Sequence, residues 1–156
     1  MALVKRYGAK SLINAPSGPK AQDDAEFRAA GFTEILHVDL LTGDPDVVVA
    51  ADLAVFQPPK PYDMLYINCF FCLSEREPMT LTPSADGQPS QESIKEDAAA
   101  NMARWPVRVI IIYDTAYPPG IVSAYDWEPA FRSAGRKLVF RESGLERGST
   151  RLEAWE

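Results

Sequence analysis

Glycine, cysteine and histidine are all scarce in this chain. Its 156 residues include 9 glycines against 13 prolines, two cysteines and one histidine. Two cysteines do not make a disulfide framework for a small domain. Cys69 and Cys72 form a lone C-x-x-C, whereas a zinc ribbon needs a second pair, and His37 lies too far away in sequence to complete a ligand spacing. No metal site is therefore expected, and the pair reads as two small apolar residues at the end of a strand in a reducing compartment. Apolar runs of about 18 residues are missing, so no membrane-spanning helix is expected. Met1-Ala-Leu-Val-Lys-Arg puts two charges ahead of any long apolar run, which is not the pattern of a secretory leader. The expected setting is cytoplasmic. Basic charge is also short: 16 Lys+Arg stand against 22 Asp+Glu, for a net charge of −6, which argues against a broad nucleic-acid-binding face. The G-x-S-x-G nucleophile elbow is missing too, and the histidine sits inside a strand rather than on a late loop.

The chain does contain alternating buried strands and helices. A length of 156 residues with 46 % hydrophobic residues suits a single domain over 1–156. Residues 10–15 read as a short buried strand stopped by Pro16-Ser17-Gly18-Pro19, and residues 21–30 as a helix ended by Gly31. Strands come next at 33–41, 46–55 and 62–71, and 75–91 reads as a loop. A helix runs to about Arg104. Val107-Arg-Val-Ile-Ile-Ile-Tyr113 is the strongest strand, a nearly continuous apolar run expected to be buried on both faces. A helix over 124–134 ends at Gly135. Residues 136–142 and 149–156 alternate like a hairpin. The reading is an α/β fold: a sheet of about seven strands, mostly parallel, with an antiparallel C-terminal hairpin.

Open parallel sheets bind ligands at the carboxyl ends of their strands. At those ends stand Asn14-Ala-Pro-Ser-Gly18, Asp39, Asp52, Asn68 and Asp114-Thr115. Asp and Asn also mark strand ends simply by capping the next helix. As a set they read as a ligand rim. Asp39 comes 25 residues after Asn14, the spacing of a β-turn-α-β unit whose second strand ends in a carboxylate that can accept from two ribose hydroxyls.

His37-Val-Asp-Leu40, Val47-Val-Val-Ala-Ala-Asp-Leu-Ala-Val-Phe56 and Pro61-Tyr-Asp-Met-Leu-Tyr-Ile-Asn-Cys-Phe-Phe71 resemble the second, third and fourth strands of the class I S-adenosylmethionine-dependent methyltransferases. Residues 124–156 resemble their closing β-α-β-β unit. The resemblance implies a Rossmann-like methyltransferase-type sheet with S-adenosylmethionine as cofactor. It places the donor against the loop 14–18 (Asn14, Pro16, Ser17, Gly18), Asp39 and Asp52. It puts the substrate near Asn68, which also resembles the Asn of the Asn-Pro-Pro-Phe/Tyr signature of amino-methylating members. Methyl transfer in this fold depends mainly on alignment, so it needs no acid–base pair.

The chain departs from the family pattern in two ways. The first loop has one glycine where the family's is glycine-rich, and proline removes an amide donor. The stretches 42–46 and 57–61 are too short for helical crossovers. The sheet is therefore expected to be poor in helices on one face, with a second copy or a partner subunit covering an apolar surface. An inactive methyltransferase-like interaction or assembly module is the alternative reading. A different Rossmann-like enzyme acting on a nucleotide or nucleoside is the second alternative.

Overall fold

A computed structural model describes residues 6–17, 20–21, 23–39, 44–68, 91–115, 126–143 and 150–156. The expected loop over 75–90, the Tyr117-Pro-Pro-Gly120 turn, Gly18 and both cysteines lie outside the described residues.

Seven strands form one sheet: β1 (Ser11–Asn14), β2 (Glu34–Asp39), β3 (Val48–Ala50), β4 (Tyr62–Asn68), β5 (Val107–Thr115), β6 (Leu138–Ser143) and β7 (Thr150–Trp155). Their order is β3-β2-β1-β4-β5-β7-β6. The first five are parallel, and β7 runs antiparallel to both β5 and β6. The mostly parallel Rossmann-like sheet with a C-terminal hairpin is as the sequence implies. Three helices are described: α1 (Asp24–Ala29), α2 (Gln91–Met102) and α3 (Glu128–Ser133).

Glycine ends two of these helices. Gly31 (φ +102°) and Gly135 (φ +81°) take the left-handed conformation that L side chains avoid. In α1 the Gly31 amide donates to the Arg28 carbonyl and the Phe32 amide to the Phe27 carbonyl. In α3 the Gly135 amide donates to Arg132 and the Arg136 amide to Phe131. These paired bonds satisfy carbonyls left over at a helix end.

Apolar side chains alternate along the strands into two cores. One side holds Ile13, Val38, Leu65, Ile67, Ile110 and Ile112 under Met102, Trp105, Trp127 and Phe131. The other holds Leu12, Met64, Val109 and Ile111, with Phe27 of α1 and Tyr7 packed on it. Both faces of β1, β4 and β5 are thus buried within the one chain. The exposed large apolar residues described are Val47, Val49 and Val55, around the edge strand β3.

Two details differ from the sequence reading. The third strand covers only 48–50, so Asp52 stands two residues past its end. There it starts a turn, its carboxylate accepting from the Ala54 amide at 2.9 Å and its carbonyl from the Val55 and Phe56 amides. Strand β5 runs two residues beyond the 107–113 run and ends on Asp114 and Thr115, which pair with Arg151 and Thr150 of antiparallel β7. Strand β4 lies on the far side of β1 from β2 and β3, so the chain reverses its direction of travel between β1 and β4.

At the opposite end of the sheet, Asp63 holds the start of β1. One carboxylate oxygen accepts from the Lys10 amide (2.8 Å), the Ser11 amide (3.0 Å) and the Ser11 hydroxyl (3.1 Å). These donors, the Lys10 amide foremost, favour the charged form and hold the Asp63 carboxyl below its ordinary value of 3.8. A carboxyl depressed in the folded state adds stability above its unfolded value, and that stability is lost as pH falls through the folded one. Denaturant unfolding followed downward from about pH 5 should therefore show a loss beginning near pH 4. Asp63→Asn should flatten that limb, whereas an unchanged limb would assign it to other carboxylates.

Candidate functional site

The carboxyl ends of β2, β1 and β4 meet where the chain changes direction, the position at which open α/β sheets bind ligands. Parallel register places Asn14 beside His37 on one side and beside Tyr66 on the other. Side chains on neighbouring registered positions share a face. With the two-residue period of a strand, Asp39, His37, Asn14, Tyr66 and Asn68 all lie on the α1 side. Phe27 of α1 seats on this row, its ring centroid 5.1 Å from that of Tyr66 in an edge-on contact.

Asn14 and Asn68 stand out within the row. The Oδ1 atoms of both are buried and accept no hydrogen bond among the described residues. Asn14 as a whole is 1 % exposed. An unsatisfied buried acceptor costs about 1–3 kcal/mol, so two of them on adjacent strands mark a place built to receive donors. Asp39 closes β2 and is equally buried. Asn14 Nδ2 lies 3.3 Å from His37 Nδ1, and His37 Nε2 lies 2.9 Å from Asp24 Oδ1. Arg28 Nε, 2.7 Å from the other Asp24 oxygen, is the main reason the Asp24 carboxyl lies below its ordinary value, with His37 second.

The segment after β1 is held as though it extended the strand. The Ala15 amide donates to the Tyr66 carbonyl at 3.1 Å, and the Ser17 amide to the Val38 carbonyl at 3.0 Å. Pro16 has no amide proton. Over 15–17 the available amides are therefore engaged within the sheet. Asp52, at the β3 end, is exposed in its turn. The structure thus brings Asn14, Pro16, Ser17, Asp39 and Asn68 to one rim. Asp52 lies outward of that rim, and Gly18 falls outside the described residues.

No protein-family model matches the sequence, and no curated protein matches it. Solved structures do match in fold. An S-adenosylmethionine-dependent methyltransferase from Clostridium acetobutylicum superposes with a TM-score of 0.66 at 6 % identity, over 99 % of this chain and 87 % of that one. The fold is that of the S-adenosylmethionine-dependent methyltransferases. The N-methyltransferase NodS from Bradyrhizobium japonicum gives 0.61 at 10 % identity, over 99 % and 92 % of the two chains. Magnesium protoporphyrin IX methyltransferase from Synechocystis, solved with S-adenosylmethionine bound, gives 0.59 at 13 % identity, over 99 % and 76 %. These three differ in name and source, and their likeness to this chain is one of architecture.

Sequence reasoning missed two contributors to the site. Asp24 reads from the sequence as a carboxylate favourable to the helix dipole, and His37 as a packed or half-exposed strand residue. The structure joins them through one hydrogen bond across 13 residues. A histidine in β2 registering with a polar residue of β1 would have been the signal, but register is not visible in a single sequence.

Proposed function

We propose that this protein binds S-adenosylmethionine across the carboxyl ends of β1, β2 and β4 and directs its methyl group to an acceptor held near Asn68. The observation that carries this reading is the pair of buried, partnerless amide oxygens, Asn14 Oδ1 and Asn68 Oδ1, on either side of the reversal in chain direction. The residues present suit part of the donor. Asp39 offers a carboxylate for ribose hydroxyls, Asn14 Oδ1 accepts from an N–H group, and Asp52 stands on the side expected for adenine. When bound, the donor supplies an electrophilic methyl group on a sulfonium. Asn68 Oδ1 accepts an N–H or O–H of the acceptor and orients it, and the proton released on transfer passes to water. The chain's contribution is alignment.

One observation favours a second reading. The Ala15 and Ser17 amides are engaged and Pro16 has none, so residues 15–17 offer a carboxylate or phosphate no backbone donor. An inactive methyltransferase-like interaction module would show that pattern.

Calorimetric titration with S-adenosylmethionine and with S-adenosylhomocysteine separates the two. Binding is expected, and Asp39→Ala should weaken it at least about tenfold, the worth of one charged hydrogen bond. Unchanged affinity in Asp39→Ala would move the ribose elsewhere. No heat from protein shown to be folded by its cooperative melt would favour the interaction module.

A further inference from the structure

Asn14, His37 and Asp24 form a hydrogen-bonded chain that runs from the rim to α1. The amide and the imidazole are both almost wholly buried, while Asp24 reaches partial exposure beside Arg28. A carboxylate only accepts, so the 2.9 Å contact with Asp24 puts a proton on His37 Nε2. In the neutral ring Nδ1 then lacks a proton and accepts. Asn14 must present Nδ2 to it across 3.3 Å. The amide oxygen, the atom without a partner, is thereby left for a ligand.

We propose that His37 is a positioning residue that, held by Asp24, fixes the Asn14 amide with Oδ1 offered to an N–H group of the ligand, and that protonation of His37 reverses the offer. An imidazolium donates from both nitrogens. Its Nδ1–H would face Asn14 Nδ2, two donors with no acceptor between them. Rotation of the amide by half a turn restores a bond from Nδ1 to Oδ1 and leaves Nδ2 at the rim. The rim then changes from acceptor to donor, and a ligand ammonium or amine meets a mismatched group. Among the described residues, the charged groups facing His37 are Asp24 with its partner Arg28 on α1, and Asp39 two residues on in β2. Strand β1 contributes the neutral Asn14, and β3 contributes Val48 in register.

The identity of the ligand rests on the donor-binding reading above, whereas the tautomer and the amide orientation do not. His37 is the only histidine in the chain, so nitrogen-15 spectra report its tautomer without ambiguity. The expected result is an Nε2–H ring when neutral. The Asn14 side-chain amide signal, identified by its loss in Asn14→Ala, should shift with the same midpoint as the ring. An Nδ1–H tautomer, or an amide indifferent to the titration of His37, overturns the proposal.

The second arm measures S-adenosylhomocysteine affinity by calorimetry on either side of the midpoint that the ring spectra give. Wild-type affinity should fall about tenfold as His37 gains its proton, in line with one exchanged hydrogen bond. His37→Leu should lose a similar factor at neutral pH. His37→Asn, whose side-chain oxygen can accept where Nδ1 does and does not titrate, should recover most of that loss and show no acid step. Equal losses in the Leu and Asn variants overturn the proposal. If no variant binds at any pH, the donor reading fails while the spectra still decide the relay.

Discussion

Trp105→Ala is expected to lower the free energy of unfolding by about 3–5 kcal/mol, the usual cost of deleting a buried aromatic side chain. Trp105 comes just after α2 and is 1 % exposed within the larger core. Its ring meets Phe56 edge-on at 5.6 Å, and its Nε1 donates to the Phe56 carbonyl at 3.1 Å. The substitution therefore opens a cavity and also strips a donor from a connection that has no helix to support it. Urea denaturation with the slope checked for constancy measures the loss. Trp105→Phe should fall between, since it keeps a ring in the core but leaves the Phe56 carbonyl with one donor fewer. A loss under about 1 kcal/mol for the alanine variant would mean that the 51–57 segment refills the space.

Asn101→Ala is expected to cost about 2–3 kcal/mol, the sum of a few neutral hydrogen bonds near 1 kcal/mol each. The Asn101 amide of α2 donates to two carbonyls of the β3–β4 connection, Leu53 at 2.9 Å and Phe56 at 2.8 Å. Its oxygen accepts from Gln57 Nε2 at 2.7 Å. One side chain thus does for this turn what a helix's own ladder would have done, which is how the sheet tolerates so short a crossover. Asn101→Asp should be at least as damaging, because a carboxylate would face two carbonyl oxygens with no proton to give. Hydrogen exchange localises the effect: the Val55 and Phe56 amides, which donate to the Asp52 carbonyl, should exchange faster. Exchange that rises uniformly across the sheet would argue that Asn101 supports the whole core rather than this turn.

Both variants bear on how the rim is held. The turn that they support comes after β3, whose parallel partner β2 carries His37 and Asp39. The scarcity of glycine also has a structural expression here. Two glycines end α1 and α3 in the left-handed conformation, while the segment after β1 uses a proline and amides already bonded to neighbouring strands.

Local chemistry is legible without coordinates. The Val107–Tyr113 run is a strand buried on both faces because a continuous β-branched stretch suits only a central position with packing on each side. Gly31 and Gly135 end helices because no other residue takes that backbone angle at so little cost. Asn14, Asp39 and Asn68 read as strand-end residues, and each closes its strand.

Asp52 departs from its expected place because a run of valines and alanines does not reveal where edge pairing stops. Strand β3 has a neighbour on one side only, and its ladder gives way to a turn that Asp52 nucleates through its own carboxylate. The crossing of the chain from β3 past β2 and β1 to β4 is equally invisible in the sequence, since neighbour choice depends on how whole faces pack rather than on any local signal.

Propensity and period over a few positions are enough to give the number and order of the strands, the helix stops and the polar residues that close β1, β2 and β4. Long-range pairing sets which strand ends share a rim, joins His37 to both Asn14 and Asp24, and brings Asn101 to the β3–β4 connection where a helix would otherwise stand. Those are contacts between residues 13 to 48 positions apart, and their geometry is set by register and by the packing of α1 and α2 on opposite faces of the sheet.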